Sequence, residues 1–487
     1  MKHQRRRPRA LARYDFAILG AGPAGLKAAE LAAQRGQRVA LFEAQRLGGT
    51  SLTTGSVPSK ALIRSASLFA GIREIARLQD ATHPPPVADL QRVAVRLRKL
   101  QERIARYYSL ARLTRLGIDV HFGAARFLDQ QTLACNGERV RFRKALIATG
   151  ARTAEPAIPG LSPGSYLTSE SIFELQQLPQ HLAVVGGGPL GCELAQAFCR
   201  LGARVTIVQD EAKFLPKEEP DAAQILAQAM ARDGVNIMLN TRVVAAEPSE
   251  GGMRLVTESN KNRGQVVADR VLVSVGRVAQ VQGLQLEAAG VAFDTDNGVA
   301  VDAFLRTSNP NVYAAGDVCM THKYTHVAET TAQIAVHNAF GGRGRRRYSD
   351  LIIPWCTFCA PEVAHVGLQL WEAKRPRSVK TYTVMMQDVD RAITDHQDTG
   401  FVKLHVAEGS DRILGATIVA SRASEMINEV CVAMHGGIGL RALAEVVHTY
   451  PSQSAAIRLA AQGFTASLVP AQRRAKERRG AKIARSG

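Results

Sequence analysis

The chain has 487 residues, 46% of them apolar and 22% charged, the balance of an ordinary globular protein long enough for two or three domains. No apolar run reaches the roughly 18–20 residues of a membrane-spanning helix, so no membrane partner is expected. Of the net charge of +19, residues 1–13 and 470–487 carry 12, leaving +7 on the body. Short like-charged tails are ordinarily solvated or hold polyanions loosely, so no specific nucleic-acid partner is expected either. Seven scattered cysteines do not make a disulfide framework. The N-terminal arginines run into a glycine loop without the apolar core of an export signal, and the expected compartment is the cytoplasm.

Taken along the chain, the first element is a buried-strand pattern, Phe16-Ala-Ile-Leu19, ahead of Gly20-Ala-Gly22-Pro-Ala-Gly25 and a helical run from Leu26. A second strand pattern, Arg38 to Phe42, ends on Glu43. Gly20 permits the tight turn, Gly22 admits a pyrophosphate to the backbone, and Gly25 lets helix and strand pack closely. Glu43 stands where a carboxylate accepts from a ribose diol. A glycine triplet alone says little; strand, loop, helix, strand and acid in register predict a dinucleotide fold. His83-Pro-Pro-Pro86 then reads as a linker. Apolar positions spaced three and four apart from Val87 to Leu116 predict one long helical excursion. Lys144 to Thr149-Gly150 reads as an apolar strand closing in a small-residue turn.

The pattern recurs as Leu182 to Val185, Gly186-Gly-Gly188-Pro-Leu-Gly191, a helix from Cys192, a strand Arg204 to Val208, and Gln209. Glutamine bonds a ribose hydroxyl without repelling a 2′-phosphate, so the choice of NADH or NADPH stays open and NADPH is expected to be tolerated. Two dinucleotide folds imply two dinucleotides. Asn311 to Ala315 is a further strand ending in Gly316-Asp317, before a helical run from about Thr325; an Asp there suits a polyol hydroxyl near a helix N-terminus. Trp355-Cys356-Thr-Phe-Cys359 resembles a thioredoxin-type run. Its surroundings, Leu351 to Phe358, read as a strand, where buried cysteines are inert apolar fillers.

In this order the first glycine loop, Gly48-Gly49-Thr50, Pro58-Ser-Lys60, Ala148-Thr149-Gly150, the second loop and Ala315-Gly316-Asp317 resemble the pyridine nucleotide-disulfide oxidoreductases across residues 14–465. Tyr324 to Glu329, Pro354 to Thr357, Pro361 to Gly367 and Gly415 to Val419 resemble the mercuric-reductase-like branch. The resemblance implies an α/β fold of two Rossmann-like domains, for FAD and then NAD(P), with a C-terminal α+β dimerisation domain. The expected boundaries are a basic tail at 1–13, an FAD domain at 14–160 and 285–348, an NAD(P) domain at 161–284, a dimerisation domain at 349–466, and a basic tail at 467–487. It also implies FAD contacts at Gly20, Gly22, Gly25, Glu43, Gly49, Thr50, Lys60, Thr149, Gly150, Gly316, Asp317 and Ala328. Nicotinamide nucleotide contacts are implied at Gly186, Gly188, Gly191, Glu193, Gln209 and Gly276, with Lys60 beside the flavin N5 and braced by Glu193. A cation there stabilises the anionic reduced flavin. A homodimer is implied as well.

The sequence departs from that pattern in two places. Both positions of the redox-active cysteine pair hold serine, Ser51 and Ser56, and a hydroxyl can neither bridge nor relay two electrons. The acid–base pair contributed by the other subunit is replaced by Tyr450 and Ala455, and His448 is given no catalytic role. The N-terminal metal-binding domain and C-terminal cysteine pair of mercuric reductases have no counterpart, so neither a metal site nor mercury reduction is expected. Three functions stay open: an NAD(P)H oxidoreductase passing electrons from FAD directly to a non-disulfide acceptor of quinone or dye type; a dithiol-free transhydrogenase; and an FAD-retaining regulatory relative.

Overall fold

The computed structural model describes residues 12–78, 87–260, 262–341, 343–372 and 378–468. Most of both basic tails, and the His83–Pro86 linker, lie outside them. The chain opens with strand β1 (Ala12–Leu19), helix α1 (Pro23–Ala33) and β2 (Val39–Glu43). Helices α2 (Gly49–Thr53), α3 (Ser56–Leu78), α4 (Leu90–Ala105) and α5 (Leu110–Arg115) follow. Strands β3 (Ile118–Phe122), β4 (Arg126–Asp129), β5 (Thr132–Cys135) and β6 (Glu138–Ile147) complete the first sheet, in the order β3-β2-β1-β6-β5-β4. The central strands β3, β2, β1 and β6 are parallel. Phe16 and Ile18 face one hydrophobic core while Ala17 and Leu19 face another, which is why the strand reads as a continuous apolar run rather than an alternation.

The predicted excursion from Val87 to Leu116 is not one helix. A tight turn over Arg106–Tyr108 and an extended Ser109 separate α4 from α5. The apolar faces explain the break: Leu90, Val93 and Leu97 of α4 pack in one core, whereas Leu113 of α5 packs in another. The first strand also starts earlier than the sequence pattern indicates, so Arg13 belongs to the sheet and not to a tail.

After β7 (Ala151–Thr153) the chain builds a second parallel sheet from β8 (His181–Val185), β9 (Arg204–Val208) and β10 (Val235–Met238). Helices α6 (Pro189–Leu201) and α7 (Pro220–Asp233) connect these strands. A three-stranded meander, β11 (Arg242–Ser249), β12 (Gly252–Ser259) and β13 (Asn262–Ala268), precedes β14 (Arg270–Val273), which joins β8 in parallel. Strand β15 (Arg277–Ala279) pairs antiparallel with β7, so the two passages between the sheets run side by side. Ala279, Val281 and Leu284 already pack in the first core, ahead of the expected return at 285. The short hairpin β16 (Phe293–Asp294) and β17 (Gly298–Val299) leads to β18 (Val312–Ala314), which adds to β6, and to α8 (Thr325–Phe340), which packs on α1.

The C-terminal unit is an antiparallel sheet of β19 (Pro354–Thr357), β20 (Glu362–Gly367), β21 (Val379–Met385), β22 (Phe401–Ala407) and β23 (Ile413–Ala420), in the order β19-β20-β23-β22-β21. A short helix, α9 (Asp390–Thr394), precedes β22. Helices α10 (Ala423–His435), α11 (Leu440–Glu445) and α12 (Ala455–Ser467) cover one sheet face. The other face meets the second unit through Lys403 and His405, which hold Glu219 at the start of α7. Among the described residues no helix is long and apolar enough to cross a membrane.

Candidate active site

The two glycine loops are built alike. At Gly20 (φ +101°) a Cβ would sit 2.4 Å from the Ala148 carbonyl oxygen, and at Gly25 one would sit 1.8 Å from the Gly20 oxygen. Both positions therefore exclude any side chain. The Glu43 carboxylate accepts from the Ala21 amide at 2.7 Å and from the Gln45 amide at 2.8 Å. In the second loop the matching approaches are 2.4 Å at Gly186 and 2.3 Å at Gly191. Gln209 Oε1 takes the Gly187 amide at 2.7 Å, reproducing the Glu43 contact. With Oε1 so engaged, the amide nitrogen of Gln209 is left to face a nucleotide as a donor.

Neither α1 nor α6 has a side-chain cap; each starts on a glycine, Gly22 or Gly188, with proline next. Free N–H groups at the positive end of a helix dipole are a ready anion site. Gly49 lies against Gly22, and Gly316 fits between Ala24 and Ala328. The expected FAD residues of four separate segments thus converge on the start of α1. Such an uncapped, side-chain-free cradle with a carboxylate at the end of β2 fits a dinucleotide pyrophosphate and ribose.

On α3, Lys60 Nζ lies 2.7 Å from Glu193 Oε2 of α6, with Glu193 only 3% exposed. The Phe358 amide donates to the other Glu193 oxygen at 3.0 Å, and the Phe358 ring lies 4.3 Å from the ammonium. A lysine from the first unit, a glutamate from the second and a backbone amide after β19 therefore meet at one point. Ser51, on α2, is bonded to Thr325 at the start of α8 at 2.6 Å. Ser56 is exposed at the first position of α3.

Several expected residues carry additional contacts. Thr149 donates to the Gln280 carbonyl at 2.7 Å, and Gly150 and Gly276 both take positive φ where the two passages run side by side. Asp317 is bridged by Arg277 at 2.7 Å, and the same guanidinium reaches Thr50 Oγ1 and the Ala151 carbonyl. Arg277, Thr325 and Phe358 touch Asp317, Ser51 and Glu193, and the sequence reading does not single them out for the site. Their only signals are the glycine before Arg277 and the helix start at Thr325; nothing local marks Phe358.

Tyr450 makes its hydrogen bond within the C-terminal unit. It is 76% exposed and donates to Asp390 at 2.7 Å, which pushes its phenol upward. His448 is turned to Glu429 at 2.8 Å. Cys356 lies on β19 as expected, but Cys359 lies beyond the strand and packs in the core beside Cys192, Leu194 and Ala195 of α6. Burial pushes both thiols well above the usual range. Cys192 and Cys199 are also buried and pushed up. Seven positions along one helix separate them by about 10 Å of rise, beyond the reach of a disulfide. Among the described residues no cluster of three or more His, Cys, Asp or Glu side chains is placed to hold a metal.

Residues 14–339 match the pyridine nucleotide-disulphide oxidoreductase family, and residues 353–461 match its dimerisation domain. The chain belongs to this family. Its members are FAD-dependent oxidoreductases of NAD(P)H, and the dimerisation domain supports a homodimer. A mercuric reductase of Staphylococcus aureus is 33% identical over 93% of this chain and 82% of its own length. Dihydrolipoyl dehydrogenase 3 of Pseudomonas aeruginosa is 34% identical over 92% of this chain and 97% of its own. The HOCl-induced flavoprotein disulfide reductase RclA of Escherichia coli has a TM-score of 0.83 at 29% identity, covering 94% of this chain and 100% of its own.

Proposed function

We propose that this family member moves two electrons from NAD(P)H through FAD straight to a small-molecule acceptor that is not a disulfide, of quinone or dye type. Gly20, Gly22, Gly25, Glu43, Gly49, Thr50, Asp317 and Ala328 would hold FAD; Gly186, Gly188, Gly191 and Gln209 would hold the nicotinamide nucleotide. Bound FAD supplies chemistry that releases electrons as hydride or singly, so no dithiol relay is needed. Lys60, held by Glu193, would set a positive charge beside N5. The observation that carries this reading is the serine pair, Ser51 and Ser56, with Ser51 bonded to Thr325. The buried, high-pKa thiols elsewhere support it. The test is anaerobic titration of the FAD-loaded protein. One equivalent of NADH or NADPH per flavin should bleach it fully, without a long-wavelength thiolate–flavin band. Uptake of two equivalents, lost in a Cys356→Ser/Cys359→Ser variant, would restore dithiol chemistry and sink the proposal.

The Gln209 amide also keeps both nucleotides admissible, which the transhydrogenase reading requires. Gln209→Glu restores the carboxylate of the first loop and sets a negative charge where a 2′-phosphate would lie. Its KM for NADPH should rise about tenfold or more with NADH little changed. Equal effects on the two nucleotides would remove Gln209 from the choice.

A further inference from the structure

Arginines gather at one end of the first sheet. At the start of the first sheet β1 and β6 pair in parallel, with Arg13 beside Arg141. Tyr14, Val140 and Phe142 point into the core, so alternation sends Arg13, Arg139 and Arg141 to the opposite face, where all three are exposed. Their neighbours on β5, Thr132 and Ala134, are small and leave that face low. Like charges on adjacent strands repel. Among the described residues, no acid forms an ion pair with Arg13, Arg139 or Arg141; Asp129 feels Arg141 only at longer range.

The patch continues past the end of α8. Arg143, bridged to Asp15 at 3.7 Å, lies over the Phe340 ring. Beyond Phe340, exposed Arg345 and Arg346 follow. Asn338 fixes this stretch by accepting from the Arg346 amide and donating to its carbonyl. The patch lies at the opposite end of the parallel strands from the glycine loops. Lys2, Arg5, Arg6, Arg7 and Arg9 precede β1 in the sequence, and the strand begins one residue before Arg13.

We infer that this face docks the phosphate backbone of duplex DNA without reading its sequence. Arginine forks suit phosphate oxygens, and a phosphate row would relieve the unpaired Arg13–Arg141 repulsion. The patch exposes no large apolar side chain to enter a membrane. It also offers no open aromatic platform for unpaired bases: Tyr14 and Tyr313 are 5% and 6% exposed, and single-strand binders need such platforms.

The test uses the full FAD-loaded chain and two unrelated duplexes of about 30 base pairs, followed by fluorescence anisotropy between about 50 and about 200 mM salt. Both duplexes should bind alike and weaken steeply with salt. R13Q/R139Q/R141Q should bind at least tenfold more weakly, with the slope of log affinity against log salt shallower by about 3. Its NADH–dye activity should stay at the wild-type level, and R345Q/R346Q should show a smaller loss of the same kind. Unchanged duplex binding in the triple variant overturns the inference. So does loss of binding only on removing residues 1–11, or tighter binding to single strands. Capture by phosphatidylglycerol vesicles without duplex binding would make the partner a membrane instead.

Discussion

Lys60→Gln should slow bleaching of the flavin by NAD(P)H about 100-fold, the scale on which loss of one preorganised charge-stabilising donor is felt. FAD content should stay that of the wild type, because the glycine loop, Glu43 and α1 would hold the cofactor without this side chain. The Lys60 side chain is 34% exposed, whereas its anchor Glu193 is 3% exposed, so a buried carboxylate holds a partly open lysine. Glu193→Gln should cost less, about tenfold, because glutamine can still accept from the Phe358 amide while losing only the charge that fixes Lys60. Stopped-flow reduction under anaerobic conditions measures both. A Lys60→Gln protein that bleaches at the wild-type rate removes Lys60 from the chemistry and leaves the ion pair as a strut between the first and second units.

The second large effect is on stability, at the junction of the second unit with the C-terminal sheet. Glu218 is 4% exposed, and one carboxylate oxygen accepts from the Trp355 indole at 2.8 Å. The other oxygen has no hydrogen-bond partner among the described residues. Burial, with some help from the Glu219 charge, pushes this carboxyl up to about 7, against the indole bond that favours the anion. Its neighbour goes the other way. Burial also opposes the charge on Glu219, but the bonds from His405 and Lys403 outweigh it and bring that group down to about 2. A buried carboxylate with two cationic or donor partners stays charged, and one with a single indole does not.

The sign for Glu218 follows from proton binding. Between the unfolded value of 4.5 and about 7 the folded chain holds a proton that the unfolded chain has lost. Stability from this group is therefore complete below 4.5 and declines as pH rises to about 7. The shift corresponds to about 3 kcal/mol. Glu218→Gln keeps the shape and the indole contact but cannot ionise. Relative to wild type it should gain about 3 kcal/mol between pH 5 and pH 8, read as a growing difference in urea midpoint. Glu219 contributes nothing to this window, since its own linkage acts only as pH falls from 4.5 toward 2. An equal difference between the two proteins at pH 5 and pH 8 would mean that Glu218 titrates like an exposed carboxyl.

The two glycine loops, their strands and the residues closing them were legible because each contact is local: a turn, a helix start and an acid or amide about twenty residues on are set by neighbouring backbone. The serines at 51 and 56 are likewise facts of sequence. The Val87–Leu116 stretch was misread because steps of three and four apolar positions record that a face is buried and not which core buries it; Leu97 and Leu113 pack in different cores. Arg277 on Asp317, Ser51 on Thr325 and Phe358 on Glu193 were out of reach, since each joins segments far apart in the chain and no local pattern ranks one distant partner above another. The basic body changed most. Composition assigned 12 of 19 charges, Arg13 among them, to the tails. Only strand register set Arg13 beside Arg141, because pairing in a sheet decides which like charges become neighbours.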